Sequence, residues 1–246
     1  MDRLIYTAMT GAQQVVVQQT SVAHNLANVA TNGFRAQIDA FRAVPVEGAG
    51  LATRAQVQAD TVAADFSPGA IQQTGRDLDV AVQGQGWIAV QTPDGGEAYT
   101  RNGALRISEN GLLQTQSGQF VLGDGGPITI PSDARLMVGR DGTLSSLLPG
   151  TVPAVPIVLG RIKLVNPPAE QLVRGDDGLF RTRDGAPAEA DPQVVLIGAA
   201  LESSNVNVVD AMVRMIGLGR QFDLQMNLIK NADGNASKAD QILSLA

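Results

Sequence analysis

Gly84-Gln85-Gly86-Trp87-Ile88-Ala89 has the spacing of a dinucleotide-binding fingerprint with Ala in the last place. That chemistry needs a glycine turn opening a helix, so that N-terminal N–H groups face a pyrophosphate. Here the glycines lead into Trp-Ile-Ala-Val-Gln-Thr, residues 87–92, which reads as a strand. The pattern therefore predicts a tight turn between two strands. His24 is the one histidine and lies in a helical stretch. It has no second His or Cys to complete a metal set, and no Ser and Asp partners at a strand end. A packed or hydrogen-bonded helix histidine is expected. Asp77 and Asp79 flank Leu78 and would share one strand face. Paired carboxylates can do acid–base work, but two at a strand entrance are ordinarily solvated. Asp176-Asp177-Gly178 is too short for an EF-hand calcium loop. The absence of cysteine removes thiol catalysis, zinc–thiolate sites and disulfides. No catalytic, cofactor-binding or metal residue emerges, and the chain reads as a non-enzyme.

The elements that would position such residues are more informative. The chain has 246 residues and a formal net charge of −6. Nucleic-acid binding is disfavoured, because phosphate neutralisation needs clustered Lys and Arg. Hydrophobic residues make up 44% and aromatics only 4%, so any core must be Val, Leu, Ile and Ala. The longest apolar run near the start is Val15-Val16-Val17, far short of a signal h-region. No stretch approaches the ~20 apolar residues of a spanning helix, so no membrane insertion is expected.

Residues 1–33 carry an apolar stripe in steps of three and four: Ile5, Ala8, Ala12, Val15, Gln19, Val22, Leu26 and Val29. This is the a/d rhythm of a coiled-coil seam. Thr31-Asn32-Gly33 supplies the stop. The other faces carry Gln, Thr, Ser and Asn where a solvated helix shows charges, which points to protein contact on several sides. Residues 203–246 mirror the first zone. Asn205 or Asn207 could cap a helix, and Val208, Met212, Met215, Gly219, Phe222, Met226 and Ile229 form a second stripe. Gly219 would allow a close helix approach.

Residues 76–202 read as β, with short apolar or alternating runs at 78–83, 87–92, 104–108, 120–123, 128–130, 135–139, 155–159, 161–165 and 194–201. Asp94-Gly95-Gly96, Asn110-Gly111, Asp141-Gly142 and Asp184-Gly185 supply turns. Residues 34–75 lack a clear period and read as an extended connector. The predicted fold is α+β. N- and C-terminal helices (1–33, 203–246) pair as a coiled-coil-like base, beside an antiparallel all-β middle domain, sandwich or barrel-like.

Two end segments resemble the flagellar rod and hook proteins. AHNLANVATNGFR, residues 23–35, is similar to their N-terminal signature, A-N-N-L-A-N followed by T-x-G-F-K/R. Asn25, Leu26, Ala27, Asn28, Thr31, Gly33 and Phe34 match, while His24 stands where Asn is usual. LESSNVN, residues 201–207, followed by Arg-Gln-Phe-Asp, resembles the C-terminal segment, with Asp223 where Glu is common. Residues 75–87 and 98–118 resemble the shared middle segments. The opening MDRLIYTAMTGA and FRAVPV at 41–46 are similar to proximal-rod members. The resemblance implies a structural subunit of the basal-body rod in the periplasm. It would be exported unfolded by the flagellar type III apparatus without a cleaved signal peptide. It would assemble with copies of itself and with other proximal and distal rod proteins, forming part of the drive shaft and export channel needed for motility. The assembly interface would use the stripe residues named above together with Asn25 and Asn28. A sibling axial protein, distal rod or short hook-like, is the alternative. A β-sandwich enzyme or carbohydrate-binding module is disfavoured by a single Trp and two Tyr.

Neither end is long-lived alone on energetic grounds. Burying a small aliphatic side chain contributes at most ~1.5–3 kcal/mol, whereas fixing each backbone residue costs ~1–2 kcal/mol. In dilute monomer, amide exchange within 1–33 and 203–246 is therefore expected to be fast. Two long, protected helices in that state would refute the expectation.

Overall fold

The protein is represented by a computed structural model, which describes residues 2–45, 55–131, 135–147 and 156–244. It divides into two compact units, each drawn from separate stretches. A helical unit takes Met1–Asn28, Gln37–Asp65 and Val206–Ala246, and a β unit takes Val29–Ala36 and Phe66–Asn205.

In the helical unit, α1 (Asp2–Ala27) and α2 (Val208–Ser244) pack against one another. Asn28 ends α1, its backbone N–H and its Nδ2 both donating to His24 O. Asn207, one of the two expected caps, starts α2: its Oδ1 accepts from the N–H groups of Val209 at 2.9 Å and Asp210 at 3.3 Å. The connector expected over 34–75 is not a plain link. Gln37–Pro45 (β1) and Ala55–Ala64 (β2) pair antiparallel along their whole length, with one register shift between Ala40 and Phe41. A ten-residue extended chain must find partners for its backbone groups, and these two stretches find each other. Asn25 fixes the entry to β1. Its Nδ2 donates to Gln37 O at 2.9 Å, and its Oδ1 accepts from Gln37 N–H at 2.7 Å.

The β unit opens with β3 (Ile71–Gln73), β4 (Val80–Gln83), β5 (Trp87–Gln91) and β6 (Glu97–Thr100). Next come β7 (Leu105–Ile107), β8 (Leu113–Thr115), β9 (Phe120–Gly123) and β10 (Gly126–Pro127). β11 (Arg135–Val138), β12 (Thr143–Leu147), β13 (Ile157–Arg161) and β14 (Leu164–Val165) follow. It closes with β15 (Leu172–Arg174), β16 (Phe180–Thr182), β17 (Val195–Gly198) and β18 (Ala200–Glu202). The main sheet runs β15-β16-β6-β5-β9-β8-β7, with β10 on β9 and β14 on β5. β11-β12-β13 form a second sheet, and the pairs β17-β4 and β18-β3 complete the unit. The strand pairings described are antiparallel. The shared core includes Val80, Ile88, Val90, Leu113, Val121, Leu144 and Leu196, the aliphatic set that composition required.

The expected hairpin glycines lie where their turns need positive φ: Gly95, Gly111, Gly142 and Gly185. The 128–130 run is not a strand. Ile128 and Ile130 are buried, and Thr129 makes only an isolated bridge to Leu112. The 194–201 run breaks at Ala199, whose φ of 53° separates β17 from β18 and sends them to different partners. The Gly84–Gly86 pattern is the link between β4 and β5, and it opens no helix. Gly86 (φ +122) is also space-limited, since a Cβ there would lie 2.5 Å from Val194 Cγ1. Gly86→Ala is expected to destabilise the chain by about 1–3 kcal/mol through strain and overpacking. Denaturant unfolding of the full chain checks this, and an unshifted midpoint would contradict it.

Candidate functional site

The carboxylates considered for acid–base chemistry are accounted for structurally. Asp77 and Leu78 form a turn, so Asp77 and Asp79 do not share a strand face. Asp79 is buried rather than solvated. It accepts from Thr74 Oγ1 at 2.7 Å and Arg76 Nε at 2.8 Å. Asp177 pairs with Arg181, whose guanidinium beside it holds the carboxyl below its usual range. His24 lies on the exposed side of α1. Among the described residues no group of three His, Asp or Glu is placed to hold a metal, and no helix is long and apolar enough to cross a membrane.

The apolar stripe of α1 faces inward as drawn. Ala8, Ala12 and Val15 are buried, while Ile5, Val22 and Leu26 are half-buried. Val29 lies past the end of α1 and is half-buried in the β unit. On α2 the stripe divides between half-buried and exposed positions. Met215, Phe222, Met226 and Ile229 are half-buried, but Met212 is 50% exposed and Val208 is also exposed. The inward line instead runs Ala211, Met215, Leu218, Phe222, Gln225, Ile229 and Ala232. One heptad position is as expected; the other sits one residue earlier. The close approach expected at Gly219 occurs at Gly11. A Cβ on Gly219 would meet nothing within 4 Å, whereas one on Gly11 would lie 3.1 Å from Gln225 Nε2. Small residues, Ala8, Ala12, Gly11 and Ala211, lie where α1 and α2 approach, and Met212 lies off that line. Displaced from it, large apolar residues face outward: Val209, Met212, Val213, Ile216, Leu224 and Leu228 on α2, and Tyr6, Met9 and Val16 on α1. Val213, Ile216 and Leu224 are each about 60% exposed.

In the β unit a buried charged cluster is built from three residues, Arg35, Arg101 and Glu202, to which the sequence assigned no role. Arg35, Arg101 and Glu202 are almost wholly buried. Glu202 Oε1 lies 2.8 Å from Arg35 Nη2 and accepts from Gly69 N–H at 2.8 Å. Its Oε2 accepts from Arg101 Nη1 at 3.1 Å. Its backbone carbonyl accepts from Gly33 N–H at 2.8 Å. Asn205 extends the join: its Oδ1 accepts from Ala36 N–H at 2.7 Å, and its Nδ2 donates to Ser67 O at 3.1 Å. Both guanidiniums lie over the Trp87 ring, Arg101 at 5.5 Å and Arg35 at 6.0 Å. Burial pushes the Arg101 pKa down to about 10, so it stays charged at neutral pH. Gly33 (φ +69) is obligatory here, because a Cβ would lie 2.3 Å from the Arg101 carbonyl carbon. The signal for this cluster was present: Arg35 ends the first signature segment, Glu202 is the second residue of the C-terminal one, and Arg101 lies in the middle segment 98–118. What sequence lacked was the fold that brings residues 35, 101 and 202 together.

The chain is thus α+β, with paired terminal helices, large apolar residues facing outward, and the buried Asp79 and Glu202 held in ion pairs. The flagellar hook protein FlgE/F/G D1 domain family matches residues 81–146, and the flagellar basal body rod FlgEFG protein C-terminal family matches 198–242. The chain is 47% identical over full length to the flagellar basal-body rod protein FlgF of Salmonella typhimurium, and equally so to that of Escherichia coli K12. It is 31% identical to FlgF of Caulobacter vibrioides, over 94% of each chain. The chain belongs to the flagellar basal-body rod proteins. It is a structural subunit of the rod, not an enzyme.

Removing Glu202 would leave two guanidiniums buried without a counter-ion. Glu202→Ala is expected to cost about 3–5 kcal/mol, read as a lowered unfolding midpoint of the full chain. A change under about 1 kcal/mol would show that the cluster does not hold the unit together.

Proposed function

We propose that the chain is a proximal-rod subunit. It is exported unfolded by the flagellar type III apparatus without a cleaved signal peptide. It assembles in the periplasm with copies of itself and with other proximal and distal rod proteins. There it forms part of the drive shaft and export channel that motility requires. The observation that carries this reading is the full-length identity to FlgF proteins, 47% with no uncovered segment. A sibling position is the competing outcome, since FlgG of Buchnera aphidicola is 29% identical over 97% of this chain. Tagged subunits located in isolated basal bodies decide between them: label at the distal rod or hook would overturn the proximal assignment.

Within the subunit, α1 and α2 form a coiled-coil-like base. Ile5, Ala8, Ala12, Val15, Val22, Leu26, Met215, Phe222, Met226 and Ile229 serve mainly the pairing of the two helices. Val208 and Met212 join the outward set that meets neighbouring subunits. Asn25 and Asn28 shape the turn that presents α1. Each outward Val, Ile or Leu would gain about 1.5–3 kcal/mol if covered.

Val15→Asp places a charge in the helix seam, and Val213→Asp places one on the outer face. Both are expected to abolish incorporation into basal bodies and swimming, and both should leave the β unit's unfolding unchanged. Normal motility with Val213→Asp would remove the outer face from the interface.

A further inference from the structure

Beside the charged cluster, and wholly within the β unit, lies an open cleft of about 380 Å³. Its apolar wall is built by Phe66, Trp87, Pro167 and Leu172, and the exposed Asn166 and the buried Arg101 also line it. The volume falls within the range of small-ligand sites. The aromatic wall is firmly held: Phe66 meets Trp87 edge-on at 5.9 Å, and Phe180 supports Trp87 at 4.7 Å.

The charge balance at this cleft is uneven. Two buried guanidiniums share one carboxylate, and Glu202 is the one acid within ion-pair distance of either among the described residues. One positive charge is therefore left over. Arg101 donates through Nη1 to Val82 O and Glu202, and through Nη2 to Gly84 O. Its Nε is buried with no acceptor, as are Nε and Nη1 of Arg35. Buried donors without partners and an unneutralised cation are both costly. A monoanionic group in the cleft beside Arg101 would offset the surplus charge, and the aromatic and proline wall would cover an apolar group attached to it.

We propose that this cleft is a carboxylate-binding site, taking a single carboxyl group joined to an apolar body. Such a group can come from a small organic acid or from an acidic side chain flanked by an apolar residue on another polypeptide. This inference does not depend on where in the rod the subunit sits.

Trp87 is the chain's single tryptophan, so its fluorescence reports on the cleft without interference. The full chain is titrated with 3-cyclohexylpropionate and, in parallel, with the uncharged 3-cyclohexylpropanamide. A saturable emission change with the acid is expected, and affinity about tenfold or more weaker for the amide, as for loss of a charge-assisted hydrogen bond. Ala169→Phe narrows the cleft from an exposed position at its edge. It should abolish the response while leaving the unfolding midpoint unchanged. Equal responses to acid and amide would reduce the site to an apolar groove and overturn the proposal. So would no saturation, or an undiminished response in Ala169→Phe. Capped Leu-Glu and Leu-Gln peptides then separate the two sources. Competition by the Glu peptide alone identifies a polypeptide side chain as the ligand, and no competition by either identifies a free acid; both results support a carboxylate site.

Discussion

The Glu202 carboxylate is the point at which the β unit is tied together. One side chain and one carbonyl receive Arg35, Arg101, Gly69 N–H and Gly33 N–H. Those four partners come from three stretches far apart in sequence, and two of these (33–36 and 66–69), like the 202–205 stretch that carries Glu202 itself, border on helical-unit segments along the chain. A buried ion pair is not by itself a source of stability, because desolvation offsets much of the Coulomb gain. Its effect is geometric. With the guanidiniums buried, any arrangement that parts them from Glu202 leaves charge in a low-dielectric interior, so alternative registers of these segments are penalised. Gly33 and Gly69 complete the constraint by letting backbone approach backbone where a Cβ would collide.

The helical unit obeys a different logic. Its fully buried apolar residues are small, Ala8, Ala12, Val15, Ala211 and Ala232, with Gly11 opposite Gln225, while the larger Met215, Leu218, Phe222 and Ile229 are only half-buried. Small side chains bury little area, and area is what stabilises. The antiparallel ribbon β1–β2 adds backbone pairing but few large side chains. The unit is thus held by close approach and hydrogen bonds, such as Ser21 Oγ to Asp39 Oδ1 at 2.7 Å and the Asn25–Gln37 pair, more than by a hydrophobic core.

What was legible in the sequence follows from which forces are local. Turn chemistry is local, and the glycine turns at 95, 111, 142 and 185 were readable from dipeptides. The strand-to-strand link at Gly84–Gly86 was equally readable, from the strand that follows Gly86. Strands with few apolar residues were not: β6 (Glu-Ala-Tyr-Thr) and β12 (Thr-Leu-Ser-Ser-Leu) take their extended form from neighbours across the sheet. The β1–β2 ribbon was hidden for the same reason, since Gln, Ala and Asp along it give no period-two signal. Asp79 was misread because its burial depends on Arg76 and Thr74 closing over it, a tertiary event.

The stripe on α2 carries the most instructive error. A heptad reading assigns the larger apolar residue to the seam, and so selects Met212 over Ala211 and Met226 over Gln225. That rule holds when the only apolar environment available is the chain's own interior. In this chain the seam is narrow enough to take Ala211 and Ala232, and Val213, Ile216 and Leu224 turn outward, where water would disfavour them. A pattern that is frustrated in the monomer becomes consistent once those faces are covered, which is the condition the proposed rod assembly would supply. The register that sequence alone missed is therefore the feature that separates a subunit built for neighbours from a helix pair built for itself.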